Sequence, residues 1–216
     1  QWGHPINVVN KPGGNTLTGA LAMMQSNSDG YTVMADSPGS SSLQAAIEQE
    51  LPFEIEDRTF IARFSKAPMV FFVNADSPWE DLTDVADAIK ANPGEFSWCR
   101  LGNGSLVDLC LLQYFHDVGV EIAETKQVVY KGSSESAAAV AGGHVMFGCS
   151  GPGTVVGYVS SDTLRVIGVT GTDRVAMWPD VPTAIEQGFD SVAATLWNGF
   201  TGPKDLPEAV VTKWAE

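Results

Sequence analysis

The chain has 216 residues, 44% of them hydrophobic and 18% charged, which is the composition of a globular protein long enough to bury a substantial core. Its formal net charge of −14 sets nucleic acid and anionic lipid aside as partners, because an acidic surface repels both. The same charge repels an anionic ligand at long range, so any anion site has to rely on local donors.

The apolar pattern predicts strands and helices in alternation. Ile6–Val9 reads as a short strand closed by Lys11-Pro12-Gly13-Gly14. Leu17–Gln25 has helical spacing and stops at Ser28-Asp29-Gly30. Tyr31–Ala35 reads as a strand running into Asp36-Ser37-Pro38-Gly39-Ser40, and helical spacing resumes near Ser42. Phe60–Ser65 and Met69–Asn74 read as strands. Ser77 as N-cap with Pro78 at the first position predicts a helix to about Ala91.

Phe96–Cys99 reads as a strand, and Leu101-Gly102-Asn103-Gly104-Ser105 turns it into a helix over about Leu106–Asp117. Gln127–Tyr130 is the next strand, turned by Lys131-Gly132-Ser133-Ser134 into an Ala-rich helix, Glu135–Ala141. His144–Cys149 is a strand, and Ser150-Gly151-Pro152-Gly153 opens another helical stretch. Leu164–Val169 reads as a strand, Asp180–Gln187 as a helix, Thr195–Phe200 as a late strand, and the chain closes in a helical pattern. This order predicts an α/β protein with parallel sheets.

Ligands of such sheets bind beyond the carboxyl ends of the strands. Four Gly/Ser-rich turns fall there: Asp36–Ser40, Leu101–Ser105, Lys131–Ser134 and Ser150–Gly153. A helix start offers unpaired amides and the positive end of the dipole; glycine admits a ligand close to the backbone, and serine adds a hydroxyl. Each turn fits either a carboxylate or phosphate site or a plain tight connection. No Walker A spacing and no Gly-x-Ser-x-Gly elbow is present. His4, His116 and His144 lie away from strand carboxyl ends and read as surface or capping residues. Asp36 fits a helix cap or a ligand contact, and Lys131 fits an anion contact or the surface. Cys99, Cys110 and Cys149 have no metal-ligand spacing. Neither a metal nor another cofactor is expected, and no catalytic group is evident.

Val129-Tyr130-Lys131-Gly132-Ser133, then Ala137 through Gly142-Gly143 to Val145-Met146-Phe147, resembles the central signature of the tripartite tricarboxylate transporter receptors, the Bug family. Other pieces resemble it in the same order: Val8–Asn15, Asp29-Gly30-Tyr31-Thr32, Ala91–Gly94, Leu101–Ser105, Leu164-Arg165-Val166, Pro179–Thr183, Trp197–Phe200 and Gly202-Pro203. The resemblance implies a two-lobed, type II-like periplasmic binding protein, each lobe a mainly parallel sheet flanked by helices. Lobe one would be residues 1–73 plus 192–216, and lobe two residues 74–191.

It also implies a monomeric extracytoplasmic receptor that captures a small carboxylate between lobes for membrane transporter subunits. Carried onto this sequence, the ligand contacts are Ser37, Gly39 and Ser40 from lobe one. From lobe two come Gly102, Asn103, Gly104, Ser105, Lys131, Gly132, Ser133 and Ser150. Trp197 walls the cleft or lies in the core. The family begins with a strand and a Pro-Gly-Gly loop that would precede Gln1, and both ends of the chain read as incomplete. Arg100 and Leu101 replace small residues of the family pattern, and Asp108 replaces a neutral polar residue or His. Arg100 would add a cation for a second ligand carboxylate. The family fold sets the strand ending at Cys149 beside that ending at Cys99, so the two form a disulfide or remain buried thiols. Two other roles suit the same fold: a sensor presenting a carboxylate to a kinase, and an α/β enzyme using Asp36 or Lys131.

Overall fold

A computed structural model describes residues 3–13, 16–41, 51–102 and 104–216. The chain divides into two compact units, residues 1–65 with 197–216 and residues 66–196. The lobe boundaries expected at 73/74 and 191/192 fall inside the second unit, because the strand ending at Asn74 belongs to that unit's sheet.

The second unit is built on a five-stranded sheet. Its strands are β3 (Val70–Asn74), β4 (Ser97–Arg100), β5 (Lys126–Val129), β6 (Phe147–Ser150) and β7 (Leu164–Val169), in the order β5-β4-β6-β3-β7. Strand β4 runs parallel to both its neighbours, β5 and β6. Strand β3 runs antiparallel to β6 and β7, so it alone is reversed and the other four share one direction.

Val70, Phe71, Phe72 and Val73 are all fully buried, as a continuous apolar run demands of a strand covered on both faces. Phe71 and Val73 face helices α2 (Leu82–Ala91) and α3 (Leu106–Val118), whose Leu82, Val85, Ile89, Leu111, Tyr114 and Phe115 complete that core. Phe71 stacks on Phe147 at 5.6 Å, and the Tyr114 hydroxyl donates to the Leu82 carbonyl at 2.6 Å. Val70 and Phe72 face α4 (Ser133–Ala141) and α5 (Pro152–Ser160), through Ala137, Val140 and Val155.

Gly148, on β6, has no room for a side chain: a Cβ there would come within 2.6 Å of the Phe72 ring. The α2 start lies four residues later than the Ser77-Pro78 signal. Asp81 is the N-cap and accepts the amides of Thr83 and Asp84 at 2.8 and 2.9 Å, while Ser77 only closes a turn onto the Trp79 amide. The helix expected over Asp180–Gln187 is a series of turns. Thr183 bridges to Val169 at the sheet edge, and Gly188, at φ +88°, ends any helical continuation.

The first unit carries α1 (Leu17–Met24), β1 (Met34–Asp36), β2 (Arg58–Pro68), β8 (Thr195–Pro203) and α6 (Glu208–Ala215). Strands β2 and β8 carry the chain across the boundary between units. The sheet order is β1-β8-β2, with β1 antiparallel to β8. Each strand sends one polar side chain into a shared buried network. Asp36 Oδ2 accepts from Arg58 Nη1 and from the Thr201 hydroxyl, both at 3.0 Å. Arg58 Nη1 also donates to the Ser40 carbonyl at 3.1 Å, and the guanidinium lies 5.3 Å from the centre of the Phe53 ring. Ile6–Val9 forms no strand with any described residue; Ile6, Val8 and Val9 are exposed, so their apolar run has no buried face to fill. The expected helical spacing from Ser42 lies outside the described residues.

The three cysteines are free and buried. The register explains why Cys99 and Cys149 form no disulfide. Trp98 pairs with Phe147, so Trp98, Phe147 and Cys149 share the α2/α3 face, while Cys99 projects into the α4/α5 face. Burial pushes the Cys99 thiol up from about 9.0 to about 12, and it also raises Cys149.

Three outcomes are expected. Near pH 8 an aryl disulfide reagent leaves the native protein unlabelled and finds three thiols after denaturation; two lost thiols would establish a bridge. An unfolded thiol ionises above about pH 9 and the folded one does not, so the unfolding midpoint declines as pH rises from 9 towards 12. Arg58→Ala leaves the Asp36 carboxylate buried without its cation, and denaturant titration should show a loss of about 3–5 kcal/mol.

Candidate functional site

Because β5, β4 and β6 are parallel neighbours, their carboxyl ends at Val129, Arg100 and Ser150 lie along one edge of the second unit. Each end turns directly into a helix: β4 into α3, β5 into α4 and β6 into α5. The Tyr130 amide donates to the Arg100 carbonyl at 2.8 Å, holding the β4 and β5 exits together. Three helix starts, with their outward amides, therefore gather on one edge. This brings together all the turn residues expected of the second lobe, save Asn103, which lies outside the described residues.

The turn after β4 needs its glycines. Gly102 and Gly104 have φ of +76° and +66°, in the left-handed region where a side chain is strained. Ser105 caps α3, its hydroxyl accepting the Asp108 amide at 3.1 Å. Asp108 returns beneath the turn and accepts the Leu101 amide at 2.9 Å. Arg100, expected to meet a second ligand carboxylate, donates from Nη1 to Gln127 at 2.9 Å and keeps its Nε 3.9 Å from Asp108.

The turn after β5 is the more open of the set. Lys131 is exposed, and Gly132 and Ser133 are half-buried. Gly132 is the α4 N-cap, in extended conformation, and the amides that follow it at Ser133, Ser134 and Glu135 head the helix. The Glu135 carboxylate accepts the Lys131 amide at 3.2 Å, and the Ser136 hydroxyl donates to the Ser133 carbonyl at 2.9 Å. At the β6 exit, Ser150 is fully buried and its hydroxyl donates to the Gly151 carbonyl at 3.1 Å. What remains for a ligand there is backbone, and Pro152 removes one amide at the first helical position.

In the first unit, the turn after β1 is organised by Asp36. Its Oδ1 accepts the Ser37 amide at 2.8 Å and the Ser40 hydroxyl. Both carboxylate oxygens are thus engaged, which leaves Asp36 neither a helix cap nor an acid free for catalysis. Ser40 is buried with its hydroxyl committed, whereas Ser37 and Gly39 are half-buried. Trp197, on β8, lines a shallow depression of about 310 Å³ with Phe60, Ile61, Ala62, Arg63 and Phe200. Among the described residues no cluster of His, Cys, Asp or Glu is placed to hold a metal ion, and no helix is long and apolar enough to cross a membrane.

Besides Asp36, the buried charged residues among the described ones are Arg58 and Asp108, and the burial of neither was expected. Ser105-Leu106-Val107-Asp108 carries a signal, since Ser three residues before an acid at a helix start is the spacing of a capping box. Arg58 carries none: its partner Asp36 is 22 residues away.

Two α/β units, the second gathering helix starts at the ends of parallel strands, can hold a small anion on backbone amides. The chain belongs to the tripartite tricarboxylate transporter receptor family, whose sequence profile matches residues 1–216. A UPF0065 protein of Bordetella pertussis is 26% identical over 213 residues, which cover 99% of this chain and 65% of that protein. A TctC solute-binding protein from Polaromonas is 26% identical, with a TM-score of 0.74 over 94% of this chain and 68% of its own. MatC of Rhodopseudomonas palustris, solved with bound malate, has a TM-score of 0.78 over 94% of this chain and 68% of its own; at 21% identity it shares the fold. The family and these structures are of solute-binding proteins, not enzymes. The chain spans 65% or less of the length of the curated relatives it matches.

The hydroxyls of the two turns have different duties. Ser105→Ala removes a cap and should cost about 0.5–2 kcal/mol in denaturant titration. Ser133→Ala touches no cap and should stay within about 0.5 kcal/mol of the parent.

Proposed function

We propose that this chain is an extracytoplasmic receptor that binds a small carboxylate and passes it to membrane transporter subunits. The observation that carries the reading is the alignment of three helix starts, after β4, β5 and β6, along one edge of the second unit. The carboxylate sits on the amides at the head of α4, with Gly132 and Ser133 close to it and the Lys131 ammonium beside it. Gly102, Asn103, Gly104, Ser105 and the Ser150 backbone complete that edge.

An ionised acceptor roughly doubles the strength of an amide hydrogen bond, and shielding from water strengthens it further. Such local donors work against the repulsion of a chain with net charge −14. Family membership supports the transport role, and the malate held by MatC supports the ligand class. No bond is made or broken, which agrees with an Asp36 whose two oxygens are already engaged.

A thermal-shift screen with mono-, di- and tricarboxylates beside neutral sugars tests the ligand class. A carboxylate should raise the melting temperature, because it binds only the folded state; a response to sugars alone would overturn the reading. Ser133→Pro removes one amide where a helix tolerates proline, and calorimetry should show binding about tenfold weaker or worse. Glu121→Gln, on the exposed surface, should leave affinity unchanged, and equal effects would remove the α4 start from the site.

A further inference from the structure

The chain passes between its two units twice, at Ser65/Lys66 in β2 and at Leu196/Trp197 in β8. Any movement of one unit on the other has to be taken up in these two links, in the few residues at the ends of the elements. On the first-unit side the links are neighbouring strands of one sheet. On the second-unit side both run onto the same residue. Thr170, which directly follows β7, is fully buried. Its hydroxyl accepts the Met69 amide at 2.8 Å, just past the end of β2, and donates to the Ala194 carbonyl, just before β8 begins.

A hydroxyl has a single proton, so the direction of both bonds is fixed. Each polarises the other: an oxygen that gives its proton to one link is a better acceptor for the amide of the other. The backbone repeats the arrangement. The Thr170 amide donates to the Met69 carbonyl at 2.9 Å, and the Gly171 amide to the Val192 carbonyl at 3.3 Å. Gly171 lies at φ +85°, and a Cβ there would stand 3.2 Å from the Thr195 methyl group, so this corner of the chain fits closely against the second link. Without the hydroxyl, the Met69 amide loses its acceptor and the Ala194 carbonyl a donor in the same step.

We propose that Thr170 joins the two links into one joint, anchored in the second unit, so that they open and close together rather than independently. Thr170 is a positioning residue that acts through the backbone of both links, and the inference holds whatever ligand the chain binds.

Hydrogen-exchange mass spectrometry on the purified chain tests it. Peptides covering Lys66–Met69 and Val192–Leu196 report on the two links, and peptides from β3 and β6 serve as reference. Thr170→Val keeps the shape and removes the hydroxyl; it should speed exchange in both links by about tenfold or more, with the reference peptides within about threefold of the parent. Thr170→Ser keeps the hydroxyl and should leave both links within about threefold of the parent. Acceleration of one link alone, or of neither, overturns the inference, and so does uniform acceleration that includes β3 and β6. Should Thr170→Val not fold, the parent decides. At a pH where exchange is limited by opening, the two links should exchange with rate constants equal to within about threefold, and a larger gap overturns the joint.

Discussion

Strand β4 has a parallel neighbour on each side, and the candidate site of the second unit depends on that alignment. Reverse either β5 or β6 and its helix start moves to the opposite edge of the sheet. Parallel neighbours need crossovers, and the chain supplies them as α3 between β4 and β5 and α4 between β5 and β6. Those helices cover opposite faces, α3 with α2 on one and α4 with α5 on the other. Both faces are therefore dry, which is why β3 can bury four consecutive apolar side chains. The same coverage leaves the strand ends as the place where backbone amides remain open to a ligand.

That edge is not a uniform row of donors. Asp108 occupies the head of α3 and Glu135 reaches back to the Lys131 amide at the head of α4, so each helix start already has an internal carboxylate. The two differ in burial: Glu135 is exposed and able to swing aside, while Asp108 is fixed beneath its turn.

Much of this was legible in the sequence where a local rule decided the outcome. The apolar run Val70–Val73, the helix after Ser105 and the Gly/Ser turns all formed where periodicity and capping chemistry placed them. Local rules failed where a partner distant in sequence decided. Ile6–Val9 has a strand's composition but exposed side chains. Two N-cap candidates stood ahead of α2, and Asp81, with two amides, prevailed over Ser77. Whether Cys99 and Cys149 can bridge turns on a one-residue register between β4 and β6, since adjacent residues of a strand face opposite ways. Only the pairing of Trp98 with Phe147 decides it.

The two units also solve the same problem by different means. In the second, a sheet covered on both faces is held by apolar packing, and its polar side chains collect at the strand ends. In the first, the described sheet has three strands, and each contributes to the network of Asp36, Arg58 and Thr201. A buried ion pair rarely outperforms well-packed apolar residues in stability, but it tolerates few alternative arrangements. Here Asp36 Oδ1 is also the acceptor that shapes the Ser37–Ser40 turn. The polar core of that sheet and the conformation of the turn beyond β1 are therefore one structure. The carboxylate that fixes strand pairing on one side holds, on the other, the Ser40 hydroxyl, which lies 3.4 Å from the hydroxyl of Ser37.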